Sequence, residues 1–136
     1  MPEYPEQVRR RIVPDEAQVQ IILGSLLGGA TLAGALFARR MTIQHDARRA
    51  DYVMWKYERL TQLAEGPPAR IGDRLRFRTI VHPIFDELAC ALALRRTRIV
   101  RDVLGPLGLA VWMADVGRIE LRPELFVPVR ALAAGA

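Results

Sequence analysis

The sequence predicts an α+β fold, with apolar helices lying over an antiparallel sheet. Three features of the 136-residue chain lead to this prediction. Two helices rich in apolar and small residues lie far apart in the chain, an amphipathic helix lies between them, and one strand alternates apolar residues with arginines. The predicted order is helix, two strands, helix, one or two strands, helix and helix, and the length suits a single domain.

The composition excludes several classes of protein. With 51% hydrophobic and 26% charged residues, the chain is neither collagen-like, nor low-complexity, nor a highly charged disordered segment. Its single cysteine, Cys90, excludes an intramolecular disulfide framework and a multi-cysteine zinc site, and we predict that it lies in the core. We therefore expect a reducing compartment and a cytoplasmic location.

The charge is positive and uneven. The net charge is +5, and Lys56 is the only lysine, so arginine supplies almost all of the positive charge. Arginine forks match phosphates and guanine edges, although a preference for arginine over lysine can also follow from the base composition of a genome. The positive excess is concentrated at Arg70, Arg74, Arg76, Arg78, Arg95, Arg96, Arg98 and Arg101.

The first helix follows a polar segment. Residues 1–12 contain two prolines and a basic cluster, which predicts a flexible basic arm. Asp15 with Gln18 three residues later forms a capping-box pattern, and the predicted helix covers residues 16–28. Gly24 and Gly28 fall on one face of this helix, where another helix backbone could approach closely.

A membrane span is an alternative interpretation of the same region. Residues 17–38 carry no charge, and their length would allow one helix to cross a bilayer. A small membrane-anchored protein held by residues 17–38 is therefore a candidate. Gln18, Gln20 and the pair Gly28-Gly29 argue against it, because the glycines favour an early helix end.

The middle of the chain predicts most of the sheet. Residues 31–38 and 41–45 are predicted to form an antiparallel pair, and residues 50–64 form the clearest amphipathic helix. Residues 69–81 then alternate as a strand, with apolar residues such as Leu75 and Phe77 on one face. Its other face suits a nucleic-acid surface or is the solvated face of a one-sided sheet, and it carries Arg74, Arg76 and Arg78.

The last part of the chain predicts two further helices. One covers residues 83–94 and starts at Pro83, a basic connector follows over 95–102, and an apolar helix covers 104–114. A strand over 118–121 is possible before a proline-broken tail. We expect His82 to cap its helix and Lys56 to be solvated, and we expect Trp55 and Trp112 to pack in the core.

Four motifs in one order resemble a known family. Residues 22–29 read ILGSLLGG and residues 107–117 read LGLAVWMADVG, and both are similar to the signature helices of LAGLIDADG homing endonucleases. Between them, HDARRADYVMWKYERL at 45–60 and LRFRTIVHPIFDEL at 75–88 resemble further segments of the same family. The resemblance extends from residue 13 to residue 118. It divides the chain into an arm (1–12), an endonuclease-like domain (13–118) and a vestigial C-terminal tail (119–136).

The resemblance implies a fold and a function. Members of the family bind double-stranded DNA in the major groove with a saddle of antiparallel strands, cut both strands with Mg²⁺ or a similar ion, and support intron or intein homing. Their two signature helices pack at the centre, which implies that Gly24, Gly28 and Gly108 form the helix interface. The residues implied to contact DNA are Arg39, Arg40, His45, Arg70, Arg74, Arg76 and Arg78.

The sequence departs from the family where the metal should bind. The resemblance implies an acidic residue before the final glycine of each signature, but these positions hold Gly29 and Val116. Asp115 is acidic but one position early, a rotation of ~100° on a helix. It is the remaining candidate for a catalytic and metal-binding residue, since Mg²⁺ requires oxygen ligands.

We therefore predict a DNA-binding protein in which cleavage is lost or very weak, a pseudoenzyme that needs no cofactor. Only 19 residues follow Gly117, so the second half of the saddle is expected to be truncated. An alternative is an active, site-specific and Mg²⁺-dependent DNA endonuclease that uses Asp115 or a partner subunit, for which a homodimer is one form. The resemblance argues against a membrane partner, because a packed central helix explains the apolar run.

Overall fold

The computed structural model describes residues 6–117, in which helices cover one face of a four-stranded sheet. The predicted α+β class is confirmed. The predicted tail at 119–136 and the strand at 118–121 lie outside the described residues. The helices are α1 (Glu6–Arg9), α2 (Glu16–Leu27), α3 (Ala50–Arg59), α4 (Pro83–Asp102) and α5 (Pro106–Asp115), and the strands are β1 (Thr31–Ala33), β2 (Arg40–Asp46), β3 (Ala69–Ile71) and β4 (Arg74–Arg78).

The strand order is β1-β2-β4-β3, and every neighbouring pair is antiparallel. In the central pair, Ile43 lies opposite Phe77 and Gln44 lies opposite Arg76. Ile43 and Phe77 are buried, which places them on the inner face of the sheet. Because side chains alternate along a strand, the arginines of β4 project from the outer face.

Two predicted strands differ from the observed ones. The single strand expected over 69–81 is instead the hairpin of β3 and β4, because Gly72 adopts a φ of +63° and turns the chain within two residues. The strand expected over 31–38 ends at Ala33, and its pairing with β2 is confirmed. The loop that follows contacts α4, since the Phe37 N–H donates to Asp86 Oδ1 at 2.9 Å.

Helix α2 begins and packs as a helix of a folded core. The predicted capping box is confirmed, with N–H donations between Asp15 and Gln18 at 2.8 and 2.9 Å. The Gln18 amide donates to the Arg59 carbonyl at 3.1 Å, and Gln20 accepts from the Gly105 N–H at 2.7 Å. Residues 17–38 do not form one helix, since they divide between α2, β1 and a loop. In residues 6–117, no helix is long and apolar enough to cross a membrane.

Helix α4 starts as predicted but is longer. His82 caps it, because its Nδ1 accepts the Ile84 N–H at 3.0 Å, which confirms the expected cap. The connector expected over 95–102 is wrong: the helix kinks at Arg95 (φ −142°, ψ 40°) and continues to residue 102, since no glycine or proline interrupts it. The prediction of a core Cys90 is also wrong, because Cys90 lies on the exposed side of α4.

Part of the segment expected to be a flexible arm contacts the domain. Residues 6–12 contain α1, and the Arg9 guanidinium donates to the carbonyls of Gln62 and Ala64 at 3.0 and 2.6 Å. The Ile12 carbonyl lies 2.7 Å from His82 Nε2. Since His82 Nδ1 accepts a hydrogen bond from the backbone, the neutral ring donates from Nε2. These contacts hold the segment that leads into α2 against the domain.

One core lies between the inner face of the sheet and the helices. Burial of each large apolar side chain contributes about 1.5–3 kcal/mol, so this core sets where α3 and the pair α2/α5 stand against the sheet. Trp55 packs against it as predicted, and Trp112 is half-buried. The buried members include Ile21, Ile22, Met41, Ile43, Val53, Leu60, Leu63, Phe77, Phe85, Leu88 and Val111.

Candidate functional site

Helices α2 and α5 cross at their small residues. A Cβ on Gly24 would overlap the Gly108 carbonyl oxygen and lie 2.9 Å from Val111 Cβ. One turn later, a Cβ on Gly28 would overlap the side chain of Asp115 and lie 2.8 Å from its Oδ2. The structure therefore brings together the three glycines named for the helix interface, and glycine is required there because the backbones approach so closely.

The Asp115 carboxylate lies inside the protein, at the end of this helix pair. Its side chain is 2% exposed. The Tyr52 hydroxyl donates to Oδ1, and Lys56 Nζ lies 2.9 Å from Oδ1 and 3.0 Å from Oδ2. Asp115 therefore points toward α3, and its two oxygens already accept hydrogen bonds from this helix.

Lys56 is the functional residue that the sequence analysis placed wrongly. We expected a solvated lysine, but its side chain is 0% exposed. Its Nζ contacts Asp115 and lies 3.2 Å from His45 Nε2, which β2 brings to the same point. One signal was available in the sequence, because Lys56 follows Tyr52 by four residues on the apolar stripe of α3.

Burial controls the protonation of this cluster. Burial first, and then the charges of Lys56, Arg49 and Arg74, lower the pKa of His45 to about 3. Burial also lowers the pKa of Lys56 to about 8, although Asp115 opposes this change. Near pH 7, Lys56 is thus charged and His45 is neutral, so His45 Nε2 accepts from Lys56 and its 3.6 Å approach to Asp115 Oδ1 is not an ion pair.

Tyr52 completes the cluster. Burial and the adjacent Asp115 carboxylate raise the pKa of Tyr52 well above its usual value, so its hydroxyl keeps its proton and donates to Asp115. The Tyr52 ring centroid also lies 4.8 Å from Lys56 Nζ, within the range of a cation–π contact. We call these four residues, His45, Tyr52, Lys56 and Asp115, the buried polar cluster.

An open cleft lies above the buried polar cluster. It has a volume of ≈ 470 Å³ and lies between the end of α2 and strands β2 and β4. Gly28 and Gly29 form one wall, and Arg74 and Arg76 form another. The cleft therefore connects the end of the central helix pair to the outer face of the sheet, and its exposed charges are positive.

The outer face of the sheet carries four of the predicted arginines. Arg78 donates to Glu65 at 2.8 Å, and Arg40 is paired with the same carboxylate. Arg74 and Arg76 have no ion pair within 4.0 Å among residues 6–117. The register places Thr42, Gln44 and Asp46 beside the arginines of β4, so hydrogen-bonding side chains and positive charges alternate across this surface.

The other predicted contact residues lie elsewhere. His45 is opposite Leu75, on the inner face, and belongs to the buried polar cluster. Arg70 is also opposite Leu75, so it projects from the same side of the sheet as His45, at the exposed edge strand β3. Arg39 lies in the loop before β2, 3.7 Å from Asp86. Of the seven residues predicted to contact DNA, four therefore lie together on the outer face of the sheet: Arg40, Arg74, Arg76 and Arg78.

The residues at the helix ends do not fit a Mg²⁺ site. Gly29 and Val116 offer no carboxylate, and no group of three or more His, Cys, Asp or Glu side chains in residues 6–117 is arranged to hold a metal ion. Mg²⁺ needs near-octahedral oxygen ligands and keeps several waters. Asp115 is almost fully enclosed and already bound by an ammonium group.

Comparisons with known proteins identify a family, a relative and a similar solved structure. The sequence model described as the LAGLIDADG DNA endonuclease family matches residues 19–130. Protein RecA of Mycolicibacterium fallax is 37% identical over 125 residues, covering 85% of this chain but 29% of that protein. The structure of the homing endonuclease I-WcaI bound to its DNA recognition sequence matches with a TM-score of 0.66 and 15% identity, over 80% of this chain and 55% of that chain.

These matches differ in what they establish. The family match covers most of the chain, whereas the structural likeness, at 15% identity, shows the fold. The chain spans less than a third of the RecA protein and about half of the endonuclease chain.

Proposed function

Because the chain belongs to the LAGLIDADG DNA endonuclease family, we propose that it binds double-stranded DNA on the outer face of its sheet and cuts it weakly or not at all. The observation that carries the proposal is the row of Arg74, Arg76 and Arg78 on that face. Alternate residues of a strand are ~6.8 Å apart, so the row presents regularly spaced cations to a phosphate backbone.

The binding surface is best tested at Arg74 and Arg76. Both lie on the outer face, and neither forms an ion pair within residues 6–117, so their charges are available to a ligand. We expect Arg74→Gln/Arg76→Gln to weaken binding of a labelled random-sequence duplex by about tenfold or more, because each lost phosphate contact retains counterions on the DNA. Fluorescence anisotropy at one fixed salt concentration measures this change.

A matched control is available on α4. Arg96→Gln/Arg98→Gln removes the same charge from two exposed positions of α4, outside the sheet. If DNA contacts the outer face of the sheet, this control changes the affinity much less than the Arg74/Arg76 variant. Equal losses in the two variants would mean that only net charge matters, and they would refute the assignment of the surface.

The proposed loss of cutting rests on the helix ends. Two-metal cleavage of a phosphodiester needs acidic residues that anchor the ions, and Gly29 and Val116 supply none. Asp115 is bound by Lys56 and Tyr52 instead. Intron or intein homing, which the resemblance implied, depends on double-strand cutting and is not part of the proposed function.

A second candidate function retains cutting through a partner subunit. It is favoured by Asp115, an acidic side chain that lies at the end of the central helix pair and lines the cleft. In that case Mg²⁺-dependent cleavage of a supercoiled plasmid that carries a selected binding sequence should be abolished by Asp115→Asn, in a preparation of the variant that circular dichroism shows to be folded. Absence of cleavage by the wild-type protein would exclude this candidate for the chain alone.

A further inference from the structure

The centre of the buried polar cluster is already occupied by a positive charge. Lys56 Nζ lies 2.9 and 3.0 Å from the two oxygens of Asp115, so it approaches the carboxylate almost symmetrically. It is also 3.2 Å from His45 Nε2, the nearest nitrogen that could bind a metal. Three atoms that could serve as metal ligands thus surround one ammonium group.

We infer that the Lys56 ammonium occupies the position from which a divalent cation would bind Asp115, and that it excludes such ions from the end of the central helix pair. This inference deepens the proposed loss of cutting and rests on it. The helix ends are thus held by an internal cation rather than by a metal.

The neighbours of Asp115 leave little room beside the ammonium. On the α2 side, Gly28 lies so close that a Cβ there would be 2.8 Å from Oδ2. On the α3 side, the Tyr52 hydroxyl donates to Oδ1. Asp115 lines the cleft together with Lys56, so an ion that enters the cleft meets a carboxylate already bound by an ammonium group, whose charge repels a divalent ion.

Removal of the ammonium leaves a pair of ligands. His45 Nε2 and Asp115 Oδ1 are 3.6 Å apart, and one transition-metal ion with bonds of about 2.1 Å can join two atoms at this separation. Mn²⁺ is the probe because, like Mg²⁺, it takes carboxylate ligands, and because it has a strong electron paramagnetic resonance signal when free.

The test measures Mn²⁺ binding to the purified full chain without DNA. We expect the wild type to show no binding that depends on Asp115, so that Asp115→Asn leaves its binding curve unchanged. We expect Lys56→Met to bind Mn²⁺ at least about tenfold more tightly than the wild type. Lys56→Gln, which keeps a polar group beside Asp115, is the second variant if Lys56→Met does not fold.

A matched control separates the position of the charge from its amount. Arg74→Gln removes one positive charge from the wall of the same cleft without uncovering Asp115, so it should not gain Mn²⁺ binding. An equal gain in Arg74→Gln would show that the net charge of the cleft, and not Lys56, excludes the ion, and it would overturn the inference.

Two further results would overturn it. One is wild-type binding of Mn²⁺ that a folded Asp115→Asn variant lacks, and this measurement is independent of how well the Lys56 variants fold. The other is a folded Lys56 variant with no gain in Mn²⁺ binding. DNA affinity is measured separately, so a failure of the proposed DNA binding and a failure of this inference are distinguishable.

Discussion

The ion pair of Lys56 and Asp115 makes the sharpest prediction about stability. Both side chains are buried, with exposures of 0% and 2%. Replacement of Lys56 by Met keeps an unbranched side chain but removes the terminal ammonium group, so the Asp115 carboxylate stays buried without its cation. Such a loss costs about 3–5 kcal/mol, a large fraction of the 5–15 kcal/mol that holds an ordinary domain folded.

A double-mutant cycle isolates the pair from the packing of each side chain. Asp115→Asn alone leaves the Lys56 ammonium without its counter-charge, and we expect a similar cost. In Lys56→Met/Asp115→Asn no buried charge remains, so the double variant should be more stable than the sum of the single losses predicts, by about 2 kcal/mol or more. Urea unfolding at pH 7, followed by circular dichroism, measures each free energy.

Arg59→Met on the same helix is the control for the substitution itself. Arg59 is exposed and lies 5.5 Å from the Trp55 ring, so its loss should cost no more than about 1 kcal/mol. A cost for Lys56→Met that is no greater than this control would refute the reasoning. So would additive losses, because they would mean that Lys56 and Asp115 do not interact in solution.

Three further predictions follow from other parts of the structure. Gly24→Ala should destabilise the protein by about 1–3 kcal/mol or more in urea, because its Cβ would overlap a carbonyl oxygen of α5, whereas Gly66→Ala has open space and should be nearly neutral. From pH 7 to pH 5 the wild type should lose about 2 kcal/mol more stability than His45→Gln, because the unfolded chain protonates His45 near 6.5 and the folded chain only near 3. The slope of log duplex affinity against log salt concentration should become shallower by about 0.9 for each arginine, Arg74 or Arg76, that is replaced by Gln.

Each of these has a result that contradicts it. Equal stability of the two glycine variants would mean that α2 and α5 do not cross as closely as described. Parallel pH profiles for the wild type and His45→Gln would mean that His45 is solvated. If the folded state resists protonation of His45, its contribution to stability is complete above pH 6.5 and is lost as the pH falls toward 3. An unchanged salt slope would remove Arg74 and Arg76 from the interface.

Local patterns in the sequence predicted the starts of elements well. The capping box at Asp15 and the cap at His82 involve residues two or three positions apart, and both were found as predicted. The alternation of β4 also predicted the arginine face, since a strand has a period of two residues. These features depend on neighbouring residues, which a single sequence displays directly.

The features that sequence analysis missed depend on distant partners. Lys56 is buried because Asp115, 59 residues later in the chain, is brought against it by the packing of α5, and no local pattern gives that distance. The sequence predicts a helix end before Arg95, where the structure has a kink, because a run of arginines resembles a connector. Arg70 and Arg74 were placed on one strand until the turn at Gly72 put them on different strands and faces.

The central claim is that this fold binds a DNA site without cutting it, and one selection tests it most directly. The full chain is incubated with a randomised duplex library in the presence of Mg²⁺, and the bound and the cut molecules are sequenced separately. We predict enrichment of a site among the bound duplexes, with no enrichment among the cut ends. Paired cuts at the enriched site would contradict the account, because they would require metal to be held at helix ends that carry Gly29, Val116 and an Asp115 already bound to Lys56.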